Sequence, residues 1–525
     1  MKSRIKRAIK ILYDIFPVMN RPLALCAAVC ALAVVFLFYH RENSLSLLIL
    51  FVIVAAVICR FYKSKKLIVV SLIFLAICAS TVNELYTIGD LESLDGQTVN
   101  ADLIAVEDSN FNGAGNYLTV YCYNSDTIPK NTKLQIYYYF SKEIKCGEKF
   151  NADFKISKLN DGPFKLSHIG DSIYVDCRLL SINSNYKESA FFTAIGEIRQ
   201  YFNYTLKKRF SGDISPTLLA LNCGNRDYLS DEFYDKVRVC GVSHVMVVSG
   251  LHLSIILGLF FRFIERFIYS RSLKAGLSLA AIFFLCALFG FTQSIIRAGC
   301  MFVFSAFSPL FMRKNDMLNS LGAAILIMIY FNPFCVFSVA FLLSVSSTVA
   351  VVWLSPFYIE LFITKLNIKT RIGKAITEIL IISIMALIFT APVSMWVFGK
   401  TSLVAPFAFL LITFPVTVAL IFNSAGLVLA ALGGISFLSV PFFIISGLCA
   451  KYINFIINNL GLLDMFYVDL GIPGFVGAIF LIFALISTMY FYKFYQKLKK
   501  RQYILEVKRY AGNLRKPTEK PVESR

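Results

Sequence analysis

Charge is what this sequence has least of. Of 525 residues only 16% are Asp, Glu, Lys or Arg and 57% are hydrophobic, against roughly 25% charged and 45–50% apolar in soluble domains. That balance excludes an ordinary soluble globule, because a bilayer must solvate part of the chain. Histidine is also scarce, with four residues, and the thirteen cysteines form no C-x-x-C pair and no Cys/His zinc spacing. No metal or other cofactor is expected. No G-x-x-x-x-G-K-[ST] loop occurs, which leaves the chain without an ATP motor of its own.

What is present is a series of long apolar runs. Leu23 to Tyr39, Leu45 to Cys59 and Leu67 to Thr81 form a tight N-terminal trio, close to the ~20 residues a spanning helix needs. The first flows into further spans without a small-residue cleavage site, so it reads as retained. Further spans are expected at about Val242 to Phe263, Gly276 to Phe291, Ile295 to Met312, Leu318 to Phe331, Cys335 to Leu354, Ile376 to Phe398, Leu403 to Phe422, a Gly/Pro-interrupted stretch from Ala425 to Leu460, and Ile472 to Tyr492.

The formal charge of +20 serves mainly to orient these spans. Lys2, Arg4, Lys6, Arg7 and Lys10 precede the first, and Arg60, Lys63, Lys65 and Lys66 separate the second from the third. By the positive-inside rule both clusters are cytoplasmic, and the segment after Thr81 is outside. Arg262, Arg266, Arg271 and Lys274 then fall inside, as do Arg313 and Lys314, the group Lys365 to Lys374, and the tail from Lys493. The reading is a multi-pass protein of the cell membrane with both termini cytoplasmic.

Between Asn83 and Ala190 the apolar runs stop. Alternating stretches at Thr98 to Val106, Tyr117 to Tyr123, Lys133 to Phe140, Lys149 to Leu159 and Ser172 to Ile182 read as strands, separated by turns such as Asn112-Gly113, Cys146-Gly147 and Asp161-Gly162. Five short strands in about 100 residues suit a small OB-like barrel. From Phe191 the period becomes helical but too polar to span: Ile195, Ile198, Phe202 and Leu206, then Lys207, Lys208 and Arg209, an interfacial amphipathic helix. The expected fold is a polytopic α-helical membrane protein of about ten to twelve spans with an inserted extracytoplasmic β-barrel. Its parts are membrane helices over 1–82, the OB-like domain over 83–190, interfacial helices over 191–240, a transmembrane domain over 241–492 and a basic tail over 493–525. A disulfide among Cys122, Cys146, Cys177, Cys223 and Cys240 stays open, with no pairing assignable.

The most unusual apolar stretch is Gly241 to His252, GVSHVMVVSGLH. As one continuous helix it would bring His244 and His252 to one face roughly 12 Å apart, with Ser249 beside His252 at i, i+3. Together they would line a hydrated path, or else pack as hydrogen-bonding glue between helices. Arg297 offers a planar donor fork for a phosphate or, near the outer interface, snorkels to headgroups. Pro333, Pro356, Pro392, Pro406, Pro415 and Pro441 punctuate the spans, either as breaks that expose backbone along a route or as simple helix ends and kinks.

These residues carry a resemblance. Leu219 to Ser254, with Asn222, Gly224 and Arg226 leading into the pattern of His244, Ser249, Gly250 and His252, resembles the signature of ComEC-type competence DNA-uptake channels. Arg297-Ala298, Asn332-Pro333 before Ser344, and Ala391-Pro392 to Phe414-Pro415 are similar to later motifs in the same order. The resemblance implies an inner-membrane channel that passes single-stranded DNA inward, with His244, Ser249, Gly250, His252 and Arg297 along its path. It also implies an external OB-like domain; on physical grounds Tyr137 and Tyr139 are candidates to stack bases and Lys155 to contact phosphate, or else the domain is merely structural. A DNA receptor and a cytoplasmic ATPase are expected partners, with the membrane potential as the alternative driving force, and self-association is left open. Many family members continue into a metallo-β-lactamase-like nuclease with an H-x-H-x-D-H motif; none of His40, His168, His244 and His252 forms it. The chain therefore reads as a pore without catalytic residues, with the nuclease another polypeptide. A secondary transporter of a small anion or lipid is the alternative reading. An intramembrane enzyme using His244 or His252 as base ranks behind both, for want of an acid partner.

Overall fold

Three apolar helices open the structure: α1 (Pro22–Tyr39), α2 (Ser44–Tyr62) and α3 (Lys65–Ser93). The computed structural model describes residues 21–62, 65–111, 116–139, 143–160, 164–186, 189–224, 229–246, 249–307, 316–433 and 436–514. The basic residues 2–10, Lys63, Arg313, Lys314, Arg226 and the turns Asn112-Gly113 and Asp161-Gly162 lie outside them. Proline begins α1, where its missing N–H costs nothing. Helix α3 runs on past the apolar run that ends at Thr81, and its polar end joins other parts of the chain: Glu84 accepts from the Tyr174 hydroxyl at 3.0 Å and Glu92 pairs with Arg41 at 3.3 Å.

The barrel follows. Its strands are β1 (Thr98–Ala105), β2 (Asn110–Phe111), β3 (Asn116–Asn124), β4 (Lys133–Tyr138), β5 (Lys149–Lys158) and β6 (Val175–Tyr186), with a short helix α4 (Lys165–Gly170) before the last. The order β1-β5-β6-β4-β3 closes through a β1–β3 pairing, and β4 with β6 is the parallel pair. Closure leaves the five long strands without a free edge. The expected strands are all present. The last starts three residues later than expected, at Val175, because residues 165–170 coil into α4. Alternation decides the inside: Leu134, Ile136 and Tyr138 of β4 are buried, as are Phe150, Ala152, Phe154 and Ile156 of β5. Cys122, Cys146, Cys177, Cys223 and Cys240 are all free thiols. Burial pushes the Cys122, Cys146 and Cys177 thiols up from their ordinary value.

Helix α4 joins barrel to body. Asn332 Nδ2 donates to the Gly170 carbonyl at 2.8 Å, and the Ser338 hydroxyl donates to Asp171 Oδ1 at 2.8 Å. Gly170 has to be glycine because a Cβ would stand 2.3 Å from the Ser338 backbone nitrogen. Phe334 stacks edge-on to both Tyr174 and Phe38, so one apolar core runs from the barrel interior into α1 and α3. Burial pushes the Asp171 carboxyl up from its ordinary value, against the partial relief of the Ser338 hydrogen bond.

The remaining elements are α5 (Ala190–Arg209), α6 (Ile214–Cys223), α7 (Asp231–Val239), α8 (Ser243–Met246), α9 (Gly250–Phe267), α10 (Arg271–Leu288), α11 (Gln293–Phe307) and α12 (Met317–Phe331). They continue through α13 (Val339–Val349), α14 (Ser355–Lys365), α15 (Arg371–Phe398), the strand β7 (Lys400–Ser402), α16 (Ala405–Ala431), α17 (Ser439–Leu460), β8 (Tyr467–Asp469) and α18 (Gly471–Leu514). Among the described residues, seven helical stretches are long and apolar enough to cross a bilayer: Pro22–Tyr39, Ile68–Ser93, Val339–Lys365, Arg371–Phe398, Ala405–Ala431, Ser436–Leu460 and Pro473–Lys497. Helix α5 covers the stretch expected as an amphipathic helix, and α6 and α7 follow it before residue 240.

Two expectations about helix breaks are corrected. Pro392 and Pro415 lie inside α15 and α16, which run through them unbroken; apolar helices tolerate an internal proline where surrounding groups satisfy the freed carbonyl. The interruption expected within Ala425 to Leu460 is present, between the end of α16 at Ala431 and the start of α17 at Ser439. Pro333 begins a 3₁₀ turn, Pro333–Phe337, that carries the barrel contact.

Candidate functional site

The Gly241 to His252 stretch is not one helix. It folds as the single turn α8, and α9 starts afresh at Gly250, with Ser249 in extended conformation as its N-cap. The sequence S-G-L-H reproduces a capping box with histidine in the place of glutamate. The Ser249 backbone N–H donates to His252 Nδ1 at 3.2 Å, the Ser249 hydroxyl lies 3.0 Å from the same nitrogen, and Leu251 N donates back to Ser249 Oγ at 3.3 Å. The expected single-helix geometry for the two histidines is therefore overturned; a serine that satisfies first-turn N–H groups starts a new helix more readily than it continues one.

The cap also fixes a tautomer. Because Nδ1 accepts from the Ser249 backbone, the neutral ring carries its proton on Nε2. His252 is 0% exposed, and Nε2 has no protein partner among the described residues. A buried, unmade N–H of this kind costs about 1–3 kcal/mol. His244 differs: its side chain is exposed, and its ring stacks on Phe409 at 5.8 Å.

Arg297 does not reach out to headgroups. It is 8% exposed, in the second turn of α11. Nε donates to Ser344 Oγ at 2.8 Å and Nη1 to Thr348 Oγ1, with Met301 Sδ 3.7 Å away. Ser294 Oγ joins Ser344 Oγ at 3.0 Å. Among the described residues no carboxylate pairs with Arg297. The stretch from Gly241 to Tyr492 has six acids, Glu265, Asp316, Glu360, Glu378, Asp464 and Asp469; Asp316 is the N-cap of α12 and Glu265 lies in the last turn of α9. The remaining nitrogen, Nη2, faces Gly250: a Cβ there would stand 3.0 Å from it. The absence of a side chain at 250 thus lets a buried cation approach the start of α9.

A second polar group lies between α6, α16 and α17. Asn222 donates to the Leu218 carbonyl and accepts from Ser424 Oγ at 3.1 Å, and Thr217 Oγ1 donates to Asn454 Oδ1 at 2.8 Å. Gly224 ends α6 in the left-handed region. Asn423 is 0% exposed with neither amide atom partnered among the described residues.

A family model described as "Competence protein" matches residues 221–494, just over half the chain. The chain belongs to the Competence protein family. Among curated proteins, ComE operon protein 3 of Bacillus subtilis (strain 168) is 25% identical over 262 residues, which is 50% of this chain and 32% of that protein. The shared region thus takes in about a third of the relative's length. No solved structure matches. The Competence match begins within α6 and takes in Asn222, His252, Arg297 and Asn423, whereas Thr217 lies just before it.

The barrel lies before the Competence match, and its register assembles a surface of its own. Tyr137 of β4 faces Arg178 of β6, which faces Lys155 of β5, so the three form one row across the outer sheet. Tyr139, 67% exposed, takes the Arg178 guanidinium over its ring at 5.3 Å. Burial, with Asp176 and Tyr117 nearby, pushes the Tyr137 phenol up. Sequence reasoning named three of these residues and missed Arg178, which stands alone in its strand and is placed only by the parallel β4–β6 pairing. It also missed Thr348, although Ser344 and Thr348 share a helix face at i, i+4, and Asn423, whose neighbours are all apolar or small.

Proposed function

We propose that this Competence-family membrane protein passes a single DNA strand through its helical body, after the external barrel has met it. The observation that carries the proposal is the chemistry of the interior. Around the broken start of α9 the protein gathers donors and one positive charge, Arg297 and His252 Nε2, and brings no acid to them among the described residues. Such an interior suits a polyanion, since a buried cation without a counter-ion is costly until an anion arrives. His244, Ser249 and Gly250 belong to the same path, and Ser344 holds the arginine in place. On the barrel, the Tyr137–Arg178–Lys155 row with Tyr139 offers stacking faces and phosphate donors on one surface.

In this reading the basic clusters between spans face the cytoplasm, both termini are inside and the barrel is outside. The helical body conducts the strand; a nuclease, a DNA receptor and a cytoplasmic ATPase complete the system. A clean deletion strain given labelled DNA tests the proposal: internalised label is expected to disappear and to return on complementation. Undiminished import by the deletion strain would overturn it. Cysteine labelling at Asp108 and Lys499 tests the orientation, with only the former expected to react from outside.

A further inference from the structure

We propose that the start of α9 and the Arg297 guanidinium together bind one phosphodiester group. The inference rests on the strand-path reading and names the chemistry of one step along it. Arg297 is more than nine-tenths buried, and its Nε and Nη1 are taken by Ser344 and Thr348. Hydroxyls hold it in place but leave its charge uncompensated, and Nη2 is aimed at Gly250. Gly250 is the first residue of an 18-residue helix, where N–H groups lack intrahelical acceptors and the dipole favours an anion. Ser249 Oγ accepts from Leu251 and, in the capping box, from the His252 backbone, which leaves the Gly250 N–H for a ligand.

The charge count selects the ligand. One uncompensated positive charge matches one negative charge, as on a phosphodiester, whose two free oxygens suit Nη2 on one side and the Gly250 N–H on the other. Gly250 lets Nη2 come this close to the helix start. Such a group occurs once per nucleotide in a DNA strand and once in a phospholipid headgroup.

The test uses the full chain in phosphatidylcholine nanodiscs, with fluorescence anisotropy of a labelled oligothymidylate and of the same oligomer carrying uncharged methylphosphonate links. Arg297→Gln is expected to weaken binding of the charged oligomer by roughly tenfold or more, Gly250→Ala by less, and Arg297→Lys to restore part of the loss. The uncharged oligomer should be indifferent to all three. Gly250→Ala leaves every charge in place, so its effect separates a built site from general attraction. Where Arg297→Gln does not fold, Gly250→Ala and Arg297→Lys still decide. Wild-type binding of the charged oligomer by folded Arg297→Gln and Gly250→Ala, together with unchanged lipid retention by Arg297→Gln in phosphatidylglycerol discs, would overturn the site. In phosphatidylglycerol discs, lipid retention by native mass spectrometry that is lost in Arg297→Gln, with oligomer binding unchanged, would uphold the phosphodiester chemistry and assign it to lipid. In cells, normal uptake by both variants beside a deletion strain that takes up nothing overturns this site and leaves the strand path standing. Normal uptake by the deletion strain overturns the strand path itself.

Discussion

Barrel and helical body both carry amides, hydroxyls and charges, and they use them in opposite ways. On the outer face of β1, β5 and β6, Asn100 donates to Asn151 and Asp153 at 2.8 and 2.6 Å, Asn151 donates to Asp102 at 2.8 Å, and Asn183 donates to Asp153 at 2.9 Å. Every group has a partner and all stand near solvent. The hydrogen bonds from Asn100 and Asn183 hold the Asp153 carboxyl below its ordinary value. In the body, His252 Nε2 and both amide atoms of Asn423 are buried without partners among the described residues, and Arg297 is buried without an acid. Polar groups that lock register belong where water forgives a poor fit. Unspent donors in an apolar interior are tolerated where something else completes them.

Breaking the contrast at its seam should give the largest effect. Gly170→Val drives a side chain into the Ser338 backbone, which cannot move aside as a side-chain tip would. A loss of about 1–3 kcal/mol is expected, read as a lower melting temperature and earlier proteolysis of the barrel. Within the body, His252→Ala removes both the cap of α9 and the unspent donor, whereas His244→Ala removes an exposed ring stacked on Phe409. DNA uptake at matched protein levels is expected to fall on the order of tenfold for the first and less for the second; equal uptake by both variants and the parent would remove the path from these residues.

Asn423→Leu sharpens the comparison through its sign. Replacing an unpartnered buried amide by a hydrocarbon of similar volume should raise stability by about 1 kcal/mol while lowering uptake; a drop in melting temperature would make Asn423 packing glue instead. On the barrel, Asn100→Ala should cost only about 0.2–1 kcal/mol and leave uptake unchanged. The smallest effect is expected from Asp171→Asn, which keeps an acceptor for the Ser338 hydroxyl. Because burial raises the Asp171 carboxyl in the folded protein, its contribution is full while it is protonated, below its unfolded value, and is lost as pH rises through the raised folded value. The asparagine variant should therefore melt higher than the parent at neutral pH, with the gap closing as the solution is acidified.

Much of the barrel was legible residue by residue. Alternation in Leu134, Gln135, Ile136, Tyr137 and Tyr138 is a period of two, written in neighbouring residues and observed in β4. The body was legible as a set of apolar helices but not at its breaks. Pro392 and Pro415 signalled interruptions, and both helices continue through them; Ser249-Gly250 carried the weaker signal, and there a new helix begins. A proline in an apolar helix can be compensated by its neighbours, whereas a serine cap supplies its own hydrogen bonds and needs no one else.

By itself, the sequence determined that this chain is a helical membrane protein with a small β-barrel set before the Competence match, because hydropathy and strand alternation are local properties. Tertiary structure alone decided which polar residues meet. Arg297 finds Ser344 and Thr348 at separations of 47 and 51 residues, Asp171 finds Ser338 at 167, and Asn222 finds Ser424 at 202. No periodicity reaches across such distances. Those meetings depend on which helices pack together, and packing determined whether Arg297 would lie at a lipid headgroup or beside Gly250.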